Sequence, residues 1–372
     1  MGRAAVHKIR VGIIGYEAGR SWAAAAHVPA LRALPDFEVV AVATTRRETA
    51  VAAARDIGLA DDRAFDDVSV LARDPAVDLV AVTVKVPHHR SLVEAAAAAG
   101  KHVYCEWPLG NGLADAEAIA SCVRAAGVRA TVGLQARMAP AIRQAASLVA
   151  DGYVGQVLSV TLVGSGMQWG ATVDRSNAYI VDRANGATML SIPVGHTLDA
   201  VCHMLGEFRS VMATTAVRQP NVIRADDGEH LAKTAADQIV FHGVLESGAV
   251  VSVHYRGGIS RGTKLLWEIN GSDGDLQLTA EGGHAQIFDI KLFGGRGGDR
   301  ALAPIAIDPQ HRFVPAELSG PAVNVAQLYA CLANDIREGR STSPTLDDAI
   351  VRHRLIDAIE RSSAAGRRVE LA

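Results

Sequence analysis

The first part of the chain alternates short apolar runs with segments of helical spacing. Residues 9–15, 37–44, 77–84, 102–105 and 128–134 are apolar runs with few polar interruptions, as expected of strands buried on both faces. Between them, residues 21–34, 46–58, 89–100 and 113–127 predict helices, and the last three stop at Gly58, Gly100 and Gly127. Pro29 lies inside the first of these and predicts a bend or a restart. Strands alternating with helices imply right-handed crossovers and a parallel sheet, with ligands at the carboxyl ends of its strands.

Beyond residue 150 the pattern becomes strand-rich. Residues 156–164, 210–217, 238–245, 250–255, 265–270 and 275–278 read as strands, with turn chemistry at Glu246-Ser247-Gly248 and Ser272-Asp273-Gly274. This predicts a largely antiparallel sheet, followed by helices near 323–338 and 346–364. The glycine-rich stretch 294–309 reads as a loop.

Composition narrows the classes. A chain of 372 residues, 49% hydrophobic, carries enough apolar material for two domains. The net charge is −3 with no long basic run, so a nucleic-acid partner is not expected. No apolar stretch reaches spanning length, no membrane association is expected, and no secretory leader is evident. The four cysteines are scattered, which fits a cytoplasmic protein without a zinc cage. Adjacent His88 and His89 diverge and lack a carboxylate cluster, so no metal site is expected. Aromatic residues are only 5%, so the placement of Trp22, Trp107 and Trp169 near predicted turns is informative.

A dinucleotide loop needs small residues for the turn, for approach of the pyrophosphate and for helix packing. Gly15 opens such a turn, but Glu17 and Arg20 break the usual spacing; Tyr16 and Ala18 lie in the longer loop and Ser21 caps the helix, next to Trp22. After the second strand, where an acidic residue would hold the ribose of NAD, the chain has Thr44-Thr45-Arg46-Arg47. Hydroxyls and a guanidinium fork suit a 2′-phosphate, so the cofactor expectation is NADP or NAD, with a tilt to NADP.

These residues resemble the glucose-fructose oxidoreductase / inositol dehydrogenase / rhizopine catabolism family, over nearly the whole chain. The segments that carry the likeness are Arg10-Val11-Gly12-Ile13-Ile14-Gly15, His27-Val28-Pro29-Ala30-Leu31, Gly100-Lys101-His102-Val103-Tyr104-Cys105-Glu106-Trp107-Pro108-Leu109 and Gly195-His196-Thr197-Leu198-Asp199. The resemblance implies an α/β protein: an N-terminal Rossmann dinucleotide-binding domain, residues 1–137, and a C-terminal α+β domain, residues 138–372. The second domain would hold a large open, mostly antiparallel sheet for substrate binding and oligomerisation. Two departures stand out. The family lysine after Glu106 is Trp107, and the family aspartate four residues before His196 is Ile192. Both fit the branch of the family that holds the yeast galactose-regulon repressor.

The implied activity is NAD(P)-dependent oxidation of a sugar or sugar derivative at a carbinol carbon. His196 is the candidate acid/base, because imidazole titrates near neutrality. Asp199 lies one helical turn on and would orient it, or cap a loop. Lys85 would replace the charge of the missing lysine, and in a glycosidase reading Tyr179 or Asp182 would serve as the extra base. Val84, Lys85, His88, Glu106, Trp107 and Gln135 complete the cofactor residues. Trp107, Arg137, Trp169, Tyr179, Asn185 and His196 are the substrate candidates. Alternative readings are an NAD-dependent glycosidase using transient oxidation, and a non-catalytic dinucleotide-binding regulator. The expected partners are a small-molecule sugar and further copies of the chain, as a dimer or tetramer through the C-terminal sheet.

Overall fold

In the computed structural model, which describes residues 7–371, the chain divides into two units. The first runs to Leu134 and includes Phe313–Ile350; the second is Gln135–Arg312 with the residues from Val351 onward.

The first unit is built on a six-stranded parallel sheet in the order β3-β2-β1-β4-β5-β6. Its strands are β1 (Ile9–Ile14), β2 (Phe37–Ala43), β3 (Ala64–Phe65), β4 (Leu79–Val82), β5 (His102–Glu106) and β6 (Ala130–Gly133). The central strands are apolar throughout because both faces are covered: all four residues of β4 are fully buried. The helices are α1 (Val28–Ala33), α2 (Arg47–Asp56), α3 (Val68–Arg73), α4 (His89–Ala98), α5 (Leu113–Ala126) and α8 (Pro321–Glu338). The strand order reverses between β1 and β4, the switch point at which such sheets bind ligands. The chain restarts at Pro29 as expected: a π-helical turn, Ala23–His27, leads directly into α1, where Pro29 occupies the first turn.

The second unit has a nine-stranded sheet, ordered β17-β16-β15-β14-β7-β13-β12-β9-β18. Its strands are β7 (Val157–Ser165), β9 (Phe208–Ala216), β12 (Gln238–Leu245), β13 (Val250–Arg256), β14 (Leu265–Gly271), β15 (Gly274–Ala280), β16 (Ile290–Arg296), β17 (Ala303–Pro304) and β18 (Val369–Glu370). Among the described residues of this sheet, only β7 and β13 pair in parallel; the other neighbours are antiparallel. A small second sheet joins β8 (Thr172–Val173), β10 (Asn221–Arg224) and β11 (His230–Ala232). The helices are α6 (Pro140–Ala150), α7 (Gly195–Leu205) and α9 (Leu346–Ala365), whose residues from Val351 count with this unit. Alternation along β12 and β13 buries Ile239, Phe241, Val251, Val253 and Tyr255 and exposes Val240, His242, Val250 and His254.

The stretch 294–309, expected to be a loop, contributes the end of β16 and all of β17. Its glycines signalled a turn by composition, but pairing with β15 overrides that local preference.

Candidate functional site

In the first unit the candidate residues gather at the carboxyl ends of β1, β4 and β5. Gly15 has φ +99°, and a Cβ there would lie 2.6 Å from Val84 Cγ1 and 3.2 Å from the Thr83 carbonyl oxygen. The turn therefore needs glycine for both its backbone and its space. Thr83 ties β4 to β1 through its hydroxyl, which donates to the Ile14 carbonyl at 2.7 Å. The Ser21 hydroxyl accepts from the amides of Glu17 and Ala24 and donates to the Glu17 carbonyl, so it closes the loop and caps the helix start. The Trp22 indole N–H is buried without a hydrogen-bond partner among the described residues. Ala18 is exposed in the loop.

Tyr16 points elsewhere. It is buried, its hydroxyl meets the Asp56 carboxylate, and burial together with that carboxylate raises its pKa to about 12. After β2, the Thr44 hydroxyl bonds the Arg46 carbonyl and the Thr49 hydroxyl. Arg47 is committed to the carbonyls of Ala64 and Asp61. Thr45 and Arg46 are exposed at the start of α2, Arg46 being its N-cap. Lys85 and His88 are exposed after β4. His89, fully buried next to them, lies 2.9 Å from both the Val84 and Pro108 carbonyl oxygens and so fastens the turn after β4 to that after β5.

Glu106 ends β5 and is 8% exposed; Trp107, 4% exposed, precedes Pro108 through a cis peptide. Glu106 Oε1 is 2.9 Å from His27 Nε2, and His27 Nδ1 is 2.8 Å from the Tyr329 hydroxyl. Neither His27 nor Tyr329 is singled out by the sequence as a site residue, although His27 sits in the motif of the resemblance. Tyr329 carries no local signal at all, since it lies 302 residues away.

In the second unit the candidate residues surround α7. A second π-helical turn, Leu190–Val194, leads into this helix. Such turns are frequent at functional sites. Here one ends on His27 and the other ends two residues before His196. His196 is 3% exposed, and its Nδ1 has no hydrogen-bond partner among the described residues. Burial, with the nearby His284, pulls its pKa down to about 3, so the ring is neutral at physiological pH. Asp199 meets Arg137 rather than the imidazole: Arg137 Nε donates to Oδ2 at 2.7 Å and a second N–H donates to Oδ1. The pair is 8% and 0% exposed, so Arg137 is spent on structure at the entrance to α6. Gln135 also belongs to this unit; it is 1% exposed, and its Oε1 lacks a partner among the described residues.

Trp169 is 3% exposed rather than an open platform. Its indole donates to the Ile180 carbonyl, and its ring stacks at 6.2 Å on His284. Trp169 and Met167 both have φ near +60°, a conformation that costs non-glycine residues about 1 kcal/mol or more and clusters at ligand sites. The loop is held in place by Lys233, whose ammonium pairs with Asp237 at 2.9 Å and donates to the Trp169 carbonyl at 2.9 Å. The His284 ring bonds the Gly166 carbonyl at 2.6 Å. Lys233 and His284 carry no pattern in the sequence that sets them apart. Tyr179 is part-buried, which raises its pKa, and its carbonyl accepts from Asn185. No cluster of three metal-binding side chains occurs among the described residues, and no helix there is long and apolar enough to cross a membrane.

Burial holds His196 and His284 neutral, His284 at about 4, and lowers the pKa of His89. Each folded pKa lies below the ordinary 6.5, so the unfolded chain binds more protons as the pH falls. This stability is complete above pH 6.5 and is lost toward pH 4, at up to about 1.4 kcal/mol per pH unit for each histidine. Urea unfolding is expected to show a lower midpoint at pH 5 than at pH 7, two conditions under which ordinary carboxylates stay mostly ionised. A midpoint independent of pH would contradict the buried neutral rings.

Comparison with known proteins agrees with this architecture. Residues 9–134 match the model of the oxidoreductase family with an NAD-binding Rossmann fold, and residues 140–280 match the Gal80p C-terminal domain. A dehydrogenase of Aspergillus oryzae, aclE, is 34% identical, over 96% of this chain and 97% of its own length. The galactose/lactose metabolism regulatory protein GAL80 of Saccharomyces cerevisiae is 28% identical over 96% and 93%. The crystal structure of a super-repressor mutant of Gal80p from the same yeast superposes with TM-score 0.87 at 26% identity, covering 98% of each chain. Levoglucosan dehydrogenase of Pseudarthrobacter phenanthrenivorans is 25% identical over 89% and 88%. With the parallel sheet and its glycine turn, the mostly antiparallel second sheet and relatives along its whole length, the chain belongs to the glucose-fructose oxidoreductase / inositol dehydrogenase / rhizopine catabolism family of oxidoreductases.

Proposed function

We propose that this protein is an NADP-dependent oxidoreductase that oxidises a carbinol carbon of a sugar or sugar derivative. The observation that carries the reading is His196: a buried imidazole whose Nδ1 has no hydrogen-bond partner among the described residues can accept from a substrate hydroxyl. Family membership and the dehydrogenases among the relatives support the chemistry.

The residues of the first unit fit a dinucleotide. The glycine at position 15 leaves room that any side chain would fill, and the buried Trp22 N–H lacks a partner among the described residues. Gly15, Ser21 and Trp22 shape the pyrophosphate loop, while Thr45 and Arg46 hold a 2′-phosphate. Bound NADP supplies a hydride acceptor at its nicotinamide carbon. Trp107 offers a flat face, and Glu106 a carboxylate, at the carboxyl end of β5. In the second unit, His196 hydrogen-bonds the reacting hydroxyl and takes its proton as hydride leaves. Burial opposes the imidazolium, so the proton the ring takes is released to solvent water as the carbonyl product forms. Arg46→Ala is expected to weaken NADP binding about tenfold, the scale of one charged hydrogen bond, with NAD binding unchanged. Calorimetry on wild type and variant with both dinucleotides checks this; a wild-type preference for NAD contradicts it.

A second copy of the chain covers the exposed sheet face in this reading. Met212, Val240 and Val250 on that face are 40%, 43% and 54% exposed. A monomeric mass by light scattering would contradict that part.

A non-catalytic regulator is the competing reading. Trp107 and Ile192 replace the family's lysine and aspartate, and GAL80 is among the relatives. Mixing the protein with NADP and a panel of pyranoses separates the two: the enzyme accumulates reduced nicotinamide, and the regulator binds dinucleotide without turnover.

A further inference from the structure

We propose that His27 and Tyr329 are positioning residues that fix the Glu106 carboxylate as the acceptor for the nicotinamide nucleoside end of a bound dinucleotide, at its ribose hydroxyls or its carboxamide. This inference rests on the dinucleotide reading above and adds the residues that aim one acceptor at one half of that ligand.

Three elements far apart in sequence converge to build the chain of hydrogen bonds. The π-helical turn Ala23–His27 supplies the imidazole, α8 the phenol and the last residue of β5 the carboxylate. His27 and Tyr329 are completely buried, and Glu106 is 8% exposed. An ionised carboxylate only accepts, so His27 Nε2–H donates to Oε1 over 2.9 Å. In the neutral ring Nδ1 is then an acceptor, and the Tyr329 hydroxyl donates to it over 2.8 Å. The phenol thereby selects the tautomer that binds the carboxylate. Oε2 takes no part in this relay.

The surroundings are shaped around this geometry. Tyr104 meets His27 edge-on at 4.9 Å and packs on Tyr329 at 4.7 Å, which leaves the imidazole one orientation. On β6, a Cβ at position 133 would lie 2.7 Å from Oε1, so Gly133 clears the space the carboxylate occupies. A buried carboxylate is costly to desolvate, yet this one is held in place at the carboxyl end of a central parallel strand, where such sheets bind ligands. A purely structural glutamate would not need that location.

The test is calorimetric, on the full chain, with NADP and with 2′-phospho-ADP, which keeps the adenosine half and lacks the whole nicotinamide nucleoside. Tyr329→Phe removes only the hydroxyl and keeps the ring packing; Glu106→Gln removes the charge. Glu106→Gln is expected to weaken NADP binding about tenfold, and Tyr329→Phe by a smaller factor of about three. Both should leave the affinity for 2′-phospho-ADP within about twofold of wild type. His27→Gln should follow Glu106→Gln. Equal losses for both ligands would mean a structural role and overturn the inference, as would NADP affinities unchanged in Tyr329→Phe and Glu106→Gln. If the wild-type chain binds 2′-phospho-ADP but gains nothing from the nicotinamide half, the inference fails while the dinucleotide reading stands. If it binds neither ligand, both fail.

Discussion

Asp199→Asn is expected to destabilise the protein by about 3–5 kcal/mol, because it leaves buried guanidinium charge without its counter-charge. Asp199 is fully buried and receives two N–H donors from Arg137. A second buried arginine, Arg352, lies with Nε 3.9 Å from the same carboxylate and pairs with Glu207 at 2.8 Å. The substitution keeps the shape and removes the carboxylate charge that Arg137 meets and Arg352 approaches. Replacing both members of the first pair, Arg137→Met with Asp199→Leu, should recover much of the loss, since neither charge is then stranded. Urea unfolding of the single and double variants measures both effects. A single-variant loss below about 1 kcal/mol would show that the pair contributes no more than an exposed one.

His196→Asn is expected to lower turnover about 10²–10⁴-fold, the usual contribution of a positioned general base. Its Nδ1 has no hydrogen bond to lose among the described residues, and the ring it replaces is already uncharged. Stability should therefore change little or improve, because a desolvated ring with an unpaired nitrogen is removed. Dinucleotide affinity should also be unchanged, since the loop and strand ends that fit it lie in the first unit. A loss in turnover with intact NADP binding separates proton transfer from binding.

Much of the parallel half was legible in the chain. Uninterrupted apolar runs such as Leu79–Val82 fit strands buried on both faces, and Gly58, Gly100 and Gly127 mark helix ends in the left-handed conformation. The strand-like runs 238–245 and 250–255 likewise pointed to the second sheet, which holds Gln238–Leu245 and Val250–Arg256. Short strands such as Thr172–Val173 and His230–Ala232 are too brief to leave a period, and the glycines of Ile290–Arg296 masked a strand set by its neighbours. The candidate site was legible where a local motif carried it, as at Gly15, Glu106 and His196. Partners were not. Tyr329 reaches His27, Arg137 takes Asp199, and Lys233 holds the Trp169 loop, each a contact across tens to hundreds of residues that no periodicity encodes. Helical spacing also suggested that Asp199 would serve the imidazole, because it lies one turn away. The ion pair with Arg137 won because a fully buried carboxylate needs a charged partner more than a neutral ring does.

The most direct measurement is the rate of reduced-nicotinamide formation by wild-type and His196→Asn protein, each saturated with NADP, across a panel of pyranoses. Reduced cofactor is expected to accumulate with at least one sugar for the wild type, with a loss of about 10²–10⁴-fold in the variant. No reduced cofactor with any sugar despite tight NADP binding, or equal rates in the two proteins, would contradict a His196-based dehydrogenase.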